Sequence, residues 1–193
     1  MTSAAARGDG GPASVVVSLV TPESVLVGSL RLPTMELAGS TYHFRLLELL
    51  NNPRLSGLHE GQYRDSVVLE EAFLLPERGS RLPVGRELHV RPRQIVCAYE
   101  FAEDGSAGAV RFSAQRFRRP EAVVVTTTTG LLIDGVFLGG AAALAGAAQK
   151  AFLPIVEARI ASTATPDSKL QVPFAIVNDA FVAAFSSGRA GSP

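Results

Sequence analysis

The chain has 193 residues, enough for one large or two small domains, and 47% of them are hydrophobic, enough to fill real cores. Its 18 Lys+Arg balance 18 Asp+Glu to a formal net charge of zero. That balance argues against a surface given over wholly to nucleic acid or anionic lipid and leaves only local basic patches. One cysteine, Cys97, excludes an intrachain disulfide and fits a cytoplasmic setting.

Residues 1–13 are rich in Ala, Gly and Ser and lack the apolar run of a secretory leader, so a disordered lead-in is expected. β-branched runs bounded by Gly, Pro, Ser and Asp then predict strands over 14–21 and 24–32, joined by a turn at Thr21-Pro22-Glu23. Gly28 falls mid-strand, where a glycine marks a bend or a close backbone approach. The stretch "YHFRLLELLNN" over 42–52 spaces Phe44, Leu47 and Leu50 for a helix, with Thr41 to cap it and Asn51-Asn52-Pro53 to stop it. Such a helix ordinarily lids one end of a small barrel; a partner-facing helix is the second reading. The loop 51–66 gathers His59, Glu60, Tyr63, Arg64 and Asp65 without ligand spacing, and a solvated loop is expected rather than a metal site.

Strands are next predicted over 66–75, 86–91 and 94–101. Glu70 and Glu71 are adjacent on a strand, so they point to opposite faces and cannot share acid–base chemistry. Cys97 fits a small buried hydrophobe better than a catalytic thiol, because His43, His59 and His89 form no spacing motif with it. Residues 102–122 form a linker, Gly/Ser-rich in its first half. Its second half interleaves arginines with aromatics: Arg111, Phe112, Arg116, Phe117, Arg118 and Arg119. Arginines at this density bind phosphates, a lipid surface or an acidic protein patch. The competing reading is a connector that tucks both phenylalanines onto the fold and leaves the arginines in water.

The remaining predicted strands are 123–129, 131–138, 151–161, 170–177 and 180–186, with Gly130 in a tight turn and Gly135 mid-strand; 188–193 is a tail. Between the second and third of these lies "GVFLGGAAALAGAAQK". Its apolar part is about 14 residues, against the roughly 20 that cross a bilayer. Loops normally face water, so Phe137 and Leu144 are expected to pack on a partner subunit or on the other half of the chain. No nucleophile elbow, phosphate-cradling glycine loop or HExxH occurs. No catalytic, cofactor-binding or metal residue is therefore assigned, and no enzyme is expected.

The two halves repeat one pattern. Residues 67–101 overlie 153–187 without a gap, with Glu71-Ala72 on Glu157-Ala158, Val96 on Val182 and Tyr99 on Phe185. Gly28 overlies Gly135, and Val15-Val16-Val17 overlie Val123-Val124-Val125. Apolar positions agree where identities do not, which indicates a duplication. The order of elements in each half resembles the Sm-like fold. "VVVTTTTGLLIDGVFLGG", "FLPIVEARI" and "FAIVNDAFVAAF" resemble an Sm or Hfq-type chain from first strand to last. Both halves are also similar to an uncharacterised bacterial Sm-like domain family, in which text like Leu46-Leu47-Glu48-Leu49-Leu50-Asn51 precedes the third strand.

The resemblance implies a mainly β fold of two tandem five-stranded Sm-like (SH3-like) small barrels, over 14–101 and 123–187, with a short helix inserted in the first. RNA-gripping Sm chains resemble one another in an Asp-x-x-x-Asn segment between strands two and three and an Arg-Gly or Lys-Gly step between strands four and five. This chain has "GGAAALAGAAQK" in the first place and Asn178-Asp179 or Pro92-Arg93 in the second. A likeness of fold without the site does not carry the function. The expectation is a non-catalytic structural or adaptor subunit, without cofactor, docked on other protein subunits of a larger bacterial assembly. Its place would be cytoplasmic, in contact with a membrane surface at most. An Sm-like oligonucleotide-binding protein is the alternative, with nucleic acid the less favoured partner. In general character the chain is also similar to accessory subunits on the cytoplasmic face of bacterial photosynthetic complexes, a likeness that rests on no motif.

Overall fold

Short runs of Val, Ile, Leu and Thr, punctuated by Gly, Pro and Asp, favour strands over helices along most of this chain. The computed structural model describes residues 14–37, 40–52, 66–76, 80–101, 121–137 and 151–187. The strands there are β1 (Ser14–Val20), β2 (Val25–Arg31), β3 (Thr34–Leu37), β4 (Ser40–His43), β5 (Val67–Leu75) and β6 (Leu82–Val90). They continue with β7 (Cys97–Phe101), β8 (Glu121–Thr127), β9 (Leu131–Phe137), β10 (Phe152–Ser162), β11 (Thr165–Asn178) and β12 (Val182–Ser187). The one α-helix among the described residues, α1, is Leu46–Asn51, and 3-10 turns stand at Pro92–Gln94 and Asp179–Phe181.

The chain is mainly β, as expected. Ten strands form one antiparallel sheet in the order β12-β8-β9-β10-β11-β7-β1-β2-β5-β6, and β3 and β4 form a separate hairpin. The sheet is open, with β12 and β6 as its ends. Residues 14–101 contribute β7-β1-β2-β5-β6 and residues 121–187 contribute β12-β8-β9-β10-β11, so each half lays out its strands in the same order. The halves meet where β11 pairs with β7.

Matched irregularities mark the repeat. Glu71 and Glu157 are the only non-glycine residues with positive φ among the described ones, at +49° and +51°. Each sits where the register slips, between Val27 and Ser29 on one side and between Val156 and Arg159 on the other. Such bulges bend the strand and sharpen its twist. Opposite them, Gly28 and Gly135 lie mid-strand as expected, for a steric reason. A Cβ on Gly28 would stand 2.9 Å from the Glu70 carbonyl oxygen, and one on Gly135 would stand 2.7 Å from that of Val156. The first strands align differently from their valine triplets. Val17 faces Gly28 and Val123 faces Gly135, so β1 and β8 correspond with a shift of two residues from the sequence overlay. Pairing to a glycine, rather than similarity of letters, sets the register.

The helix is shorter than 42–52. Tyr42 and His43 belong to β4, where aromatic and β-branched neighbours favour extended backbone. Arg45, not Thr41, precedes the helix, and the Glu48 carboxylate accepts the Arg45 N–H at 2.9 Å. Leu46, Leu49 and Leu50 are buried and lid the core of the first half, in agreement with the lid reading. Gly130 adopts φ +80° in the β8–β9 turn, and Thr21 holds the β1–β2 turn by bonding Ser24.

Candidate functional site

The two apolar cores meet at the junction between the halves. β11 and β7 pair Ala175 with Tyr99, Ile176 with Ala98 and Val177 with Cys97. Side chains alternate faces along a strand. Ala98 and Ile176 therefore join one apolar core, while Cys97, Tyr99, Ala175 and Val177 join the other. Phe152 and Phe174, both from the second half, sit in the first-half core with Leu46, Leu49, Leu50 and Ile95. The two cores thus share the strands that separate them.

Two asparagines fasten this junction. The Asn51 side chain at the end of α1 accepts the Phe152 N–H at 3.0 Å and donates to the Phe152 carbonyl at 3.3 Å, so it replaces a strand neighbour for β10. Asn178 is buried. Its N–H donates to the Val96 carbonyl at 2.9 Å and its Nδ2 to the Ile95 carbonyl at 2.8 Å. Its Oδ1 accepts the Ala180 N–H at 3.1 Å, which starts the 3-10 turn. Neither residue was singled out for such a role from the sequence. An asparagine just before a turn suggests a local cap, but its partner in the other half is visible only once the halves are together.

Burial shifts two titratable groups here. Burial pushes the Cys97 thiol up to about 12, against a weaker opposing hydrogen bond from the Ile176 backbone. Burial also raises Tyr99, and the Ser18 hydroxyl opposite it draws it partly back. Among the described residues no three His, Cys, Asp or Glu side chains cluster to hold a metal. Among the described residues Arg31 pairs with Glu70 at 2.8 Å, and Asp134 with both Arg159 and Lys169. No helix among the described residues is long and apolar enough to cross a membrane.

Of the residues expected to meet partners, Phe137 ends β9 and is buried in the second-half core, paired with Ile155. Its side chain is held inside, because β9 carries the apolar pattern through its last residue. Arg111, Phe112, Arg116, Phe117, Arg118, Arg119 and Leu144 lie outside the described residues, as do His59, Glu60 and Asp65. Comparison with protein-family models, with curated proteins and with solved structures gives no match for this chain.

Proposed function

We propose that the chain is a structural or adaptor subunit: two tandem Sm-like five-stranded units fused into one stiff block that docks other protein subunits of a larger assembly. The observation that carries this reading is the shared junction, where Phe152, Phe174 and Ile176 of the second half complete the core of the first. Each half lays out its strands in the order fifth, first, second, third, fourth, which supports reading them as two units of one design. Fusing two diverged copies gives the block two unlike ends, and unlike ends suit a defined position among different neighbours. The buried thiol and the paired carboxylates are consistent with a role that does not require chemistry.

The partner contacts in this reading fall to the basic cluster at Arg111, Arg116, Arg118 and Arg119 and to the apolar stretch around Leu144. Affinity capture of the full chain from its native cells tests the reading. Defined protein subunits should co-purify and weaken only in part at high salt, since salt screens the arginine contacts but not the apolar docking around Leu144. Replacing Leu144 with Asp, or Arg118 and Arg119 with Glu, should release them while the chain stays folded. Recovery of RNA instead, with steep loss of binding as salt rises, would favour the oligonucleotide reading.

A further inference from the structure

The sheet ends on two unlike strands. Among the described residues β6 pairs only with β5, and β12 only with β8. β6 reads LPVGRELHV, and its exposed stretch 82–87 holds Pro83, which has no N–H to donate, and the charged Arg86 and Glu87. Proline and charge are the means by which edge strands refuse a neighbour. β12 reads VAAFSS and has neither. Ala183, Ala184, Phe185, Ser186 and Ser187 are all exposed, Phe185 by 40%. The place that β12 occupies also takes a strand elsewhere in this chain. Val17 faces Gly28 as Val123 faces Gly135, so Ser18 corresponds to Val124. Ser18 faces Tyr99 and Val124 faces Ser186, so β7 is the counterpart of β12. The outer edge of β7 is filled by β11, through Ala175, Ile176 and Val177.

A second copy of the chain fits this free edge. Two β12 strands related by a two-fold axis perpendicular to the sheet run antiparallel, and each sheet keeps the same face on the same side. After a shift between Val182 and Ala184, the register with β8 is regular from Ala184 to Ser187. About any centre within that stretch each residue meets Ala, Phe or Ser, so like charges never stand opposite one another. The small side chains at 183, 184, 186 and 187 leave the backbone edge unobstructed. A formal net charge of zero adds no long-range repulsion between copies. Phe185 faces Val125, on the side of the second-half core, and the other copy's edge would cover its exposed ring. One short strand on each side belongs to the class of interfaces below about 1,200 Å², which hold weak and transient complexes. Such a pair forms and dissociates reversibly.

We propose that β12 is a self-pairing edge: two copies join antiparallel through residues 184–187 into one continuous sheet across a two-fold axis. The β6 ends, marked by Pro83, Arg86 and Glu87, face outward from the pair. Assembly closes at two copies, because the axis uses both β12 edges.

Analytical ultracentrifugation of the full chain, taken up to the limit of solubility, should show a reversible monomer–dimer system that stops at dimers. Single chains throughout overturn the proposal. So do longer multiples, the product of β12 pairing with β6 of the next copy. A variant carrying Ala184→Lys and Ser186→Lys sets like charges across the axis. Both positions are exposed and face Thr126 and Val124, which belong to neither core. This variant should stay single. Mixed with a variant carrying Ala184→Glu and Ser186→Glu, it should form one-to-one pairs, because opposite charges then face each other across the strands. A folded lysine variant that dimerises like the wild type, or a mixture that does not pair, overturns the proposal. Should the variants fail to fold, the wild type decides by hydrogen exchange. The amides within 184–187 that do not bond β8 should exchange more slowly as concentration rises, and exchange there that ignores concentration overturns the self-pairing edge.

Discussion

At the scale of single residues, the fold depends on a few positions where backbone geometry leaves little choice. Gly28 and Gly135 pass within contact distance of a neighbouring carbonyl. Gly28→Val must push β5 away, and should lower stability by about 1–3 kcal/mol in chemical denaturation. Glu157 holds a left-handed backbone with an exposed side chain. That conformation costs a residue with a Cβ roughly 1–2 kcal/mol, so Glu157→Gly should be more stable than Glu157→Ala by about 1 kcal/mol. Asn178→Ala removes a buried donor and acceptor and leaves the Ile95 carbonyl and Ala180 N–H without this partner. Its expected cost is about 1–3 kcal/mol, read as a lower denaturation midpoint. Cys97 titrates near 12 in the fold against an ordinary 9.0. The unfolded chain therefore loses its thiol proton first, and this contribution to stability is full below about pH 9 and declines as pH rises toward 12. Thiol reagents at neutral pH should modify Cys97 only at the rate of unfolding; rapid labelling of native protein would contradict its burial.

At the scale of elements, α1 shows how a short helix can matter more through its position than its length. Six residues are too few to be stable alone. Packing of Leu46, Leu49 and Leu50 on the core holds it in place, and Asn51 ties it to β10. Leu49→Ala should therefore cost about 2–5 kcal/mol. It should also loosen the start of β10, seen as faster amide exchange at Phe152 and Leu153 along with α1. If only α1 exchanged faster, the helix would be a lid on the first half and no fastening for the second. The leucine spacing was legible as a helix in the sequence. Its start was not, because Tyr42 and His43 suit a strand equally well and the β3–β4 pairing decides for strand.

At the scale of the whole molecule, the shared strands β7 and β11 make the two halves one cooperative object. Each half supplies side chains to the other's core. Cutting the connection within residues 102–120 should leave both fragments bound to each other, eluting together under native conditions and separating only in denaturant. Release of a free second half would show that pairing across the junction is weak. A single unfolding transition is expected for the intact chain, since neither core is complete without the other.

The local grammar was available from the letters. Strand runs, the glycines at 28 and 135, the turn at Gly130 and the repeat of 67–75 over 153–161 follow from propensity and spacing, which act over a few residues; beyond that stretch the pairing sets Tyr99 on Ser186, one residue away from the gapless overlay that put it on Phe185. The long-range facts were not. Nothing in "FLPIVEARI" distinguishes Phe152 as a contributor to the other half's core, and nothing in the valine triplets sets β1 and β8 two residues apart from their apparent overlay. Phe137 was legible as a strand residue within 131–138, but not as one that turns into its own half's core, because hydrophobicity alone does not say which apolar residues face inward. The sequence alone determined that the chain would build short, bent strands twice over. Which strand end would be joined, and which would be left polar at the sheet's edge, was decided only by tertiary pairing, because a strand's neighbours are chosen by side-chain complementarity between segments distant in the chain.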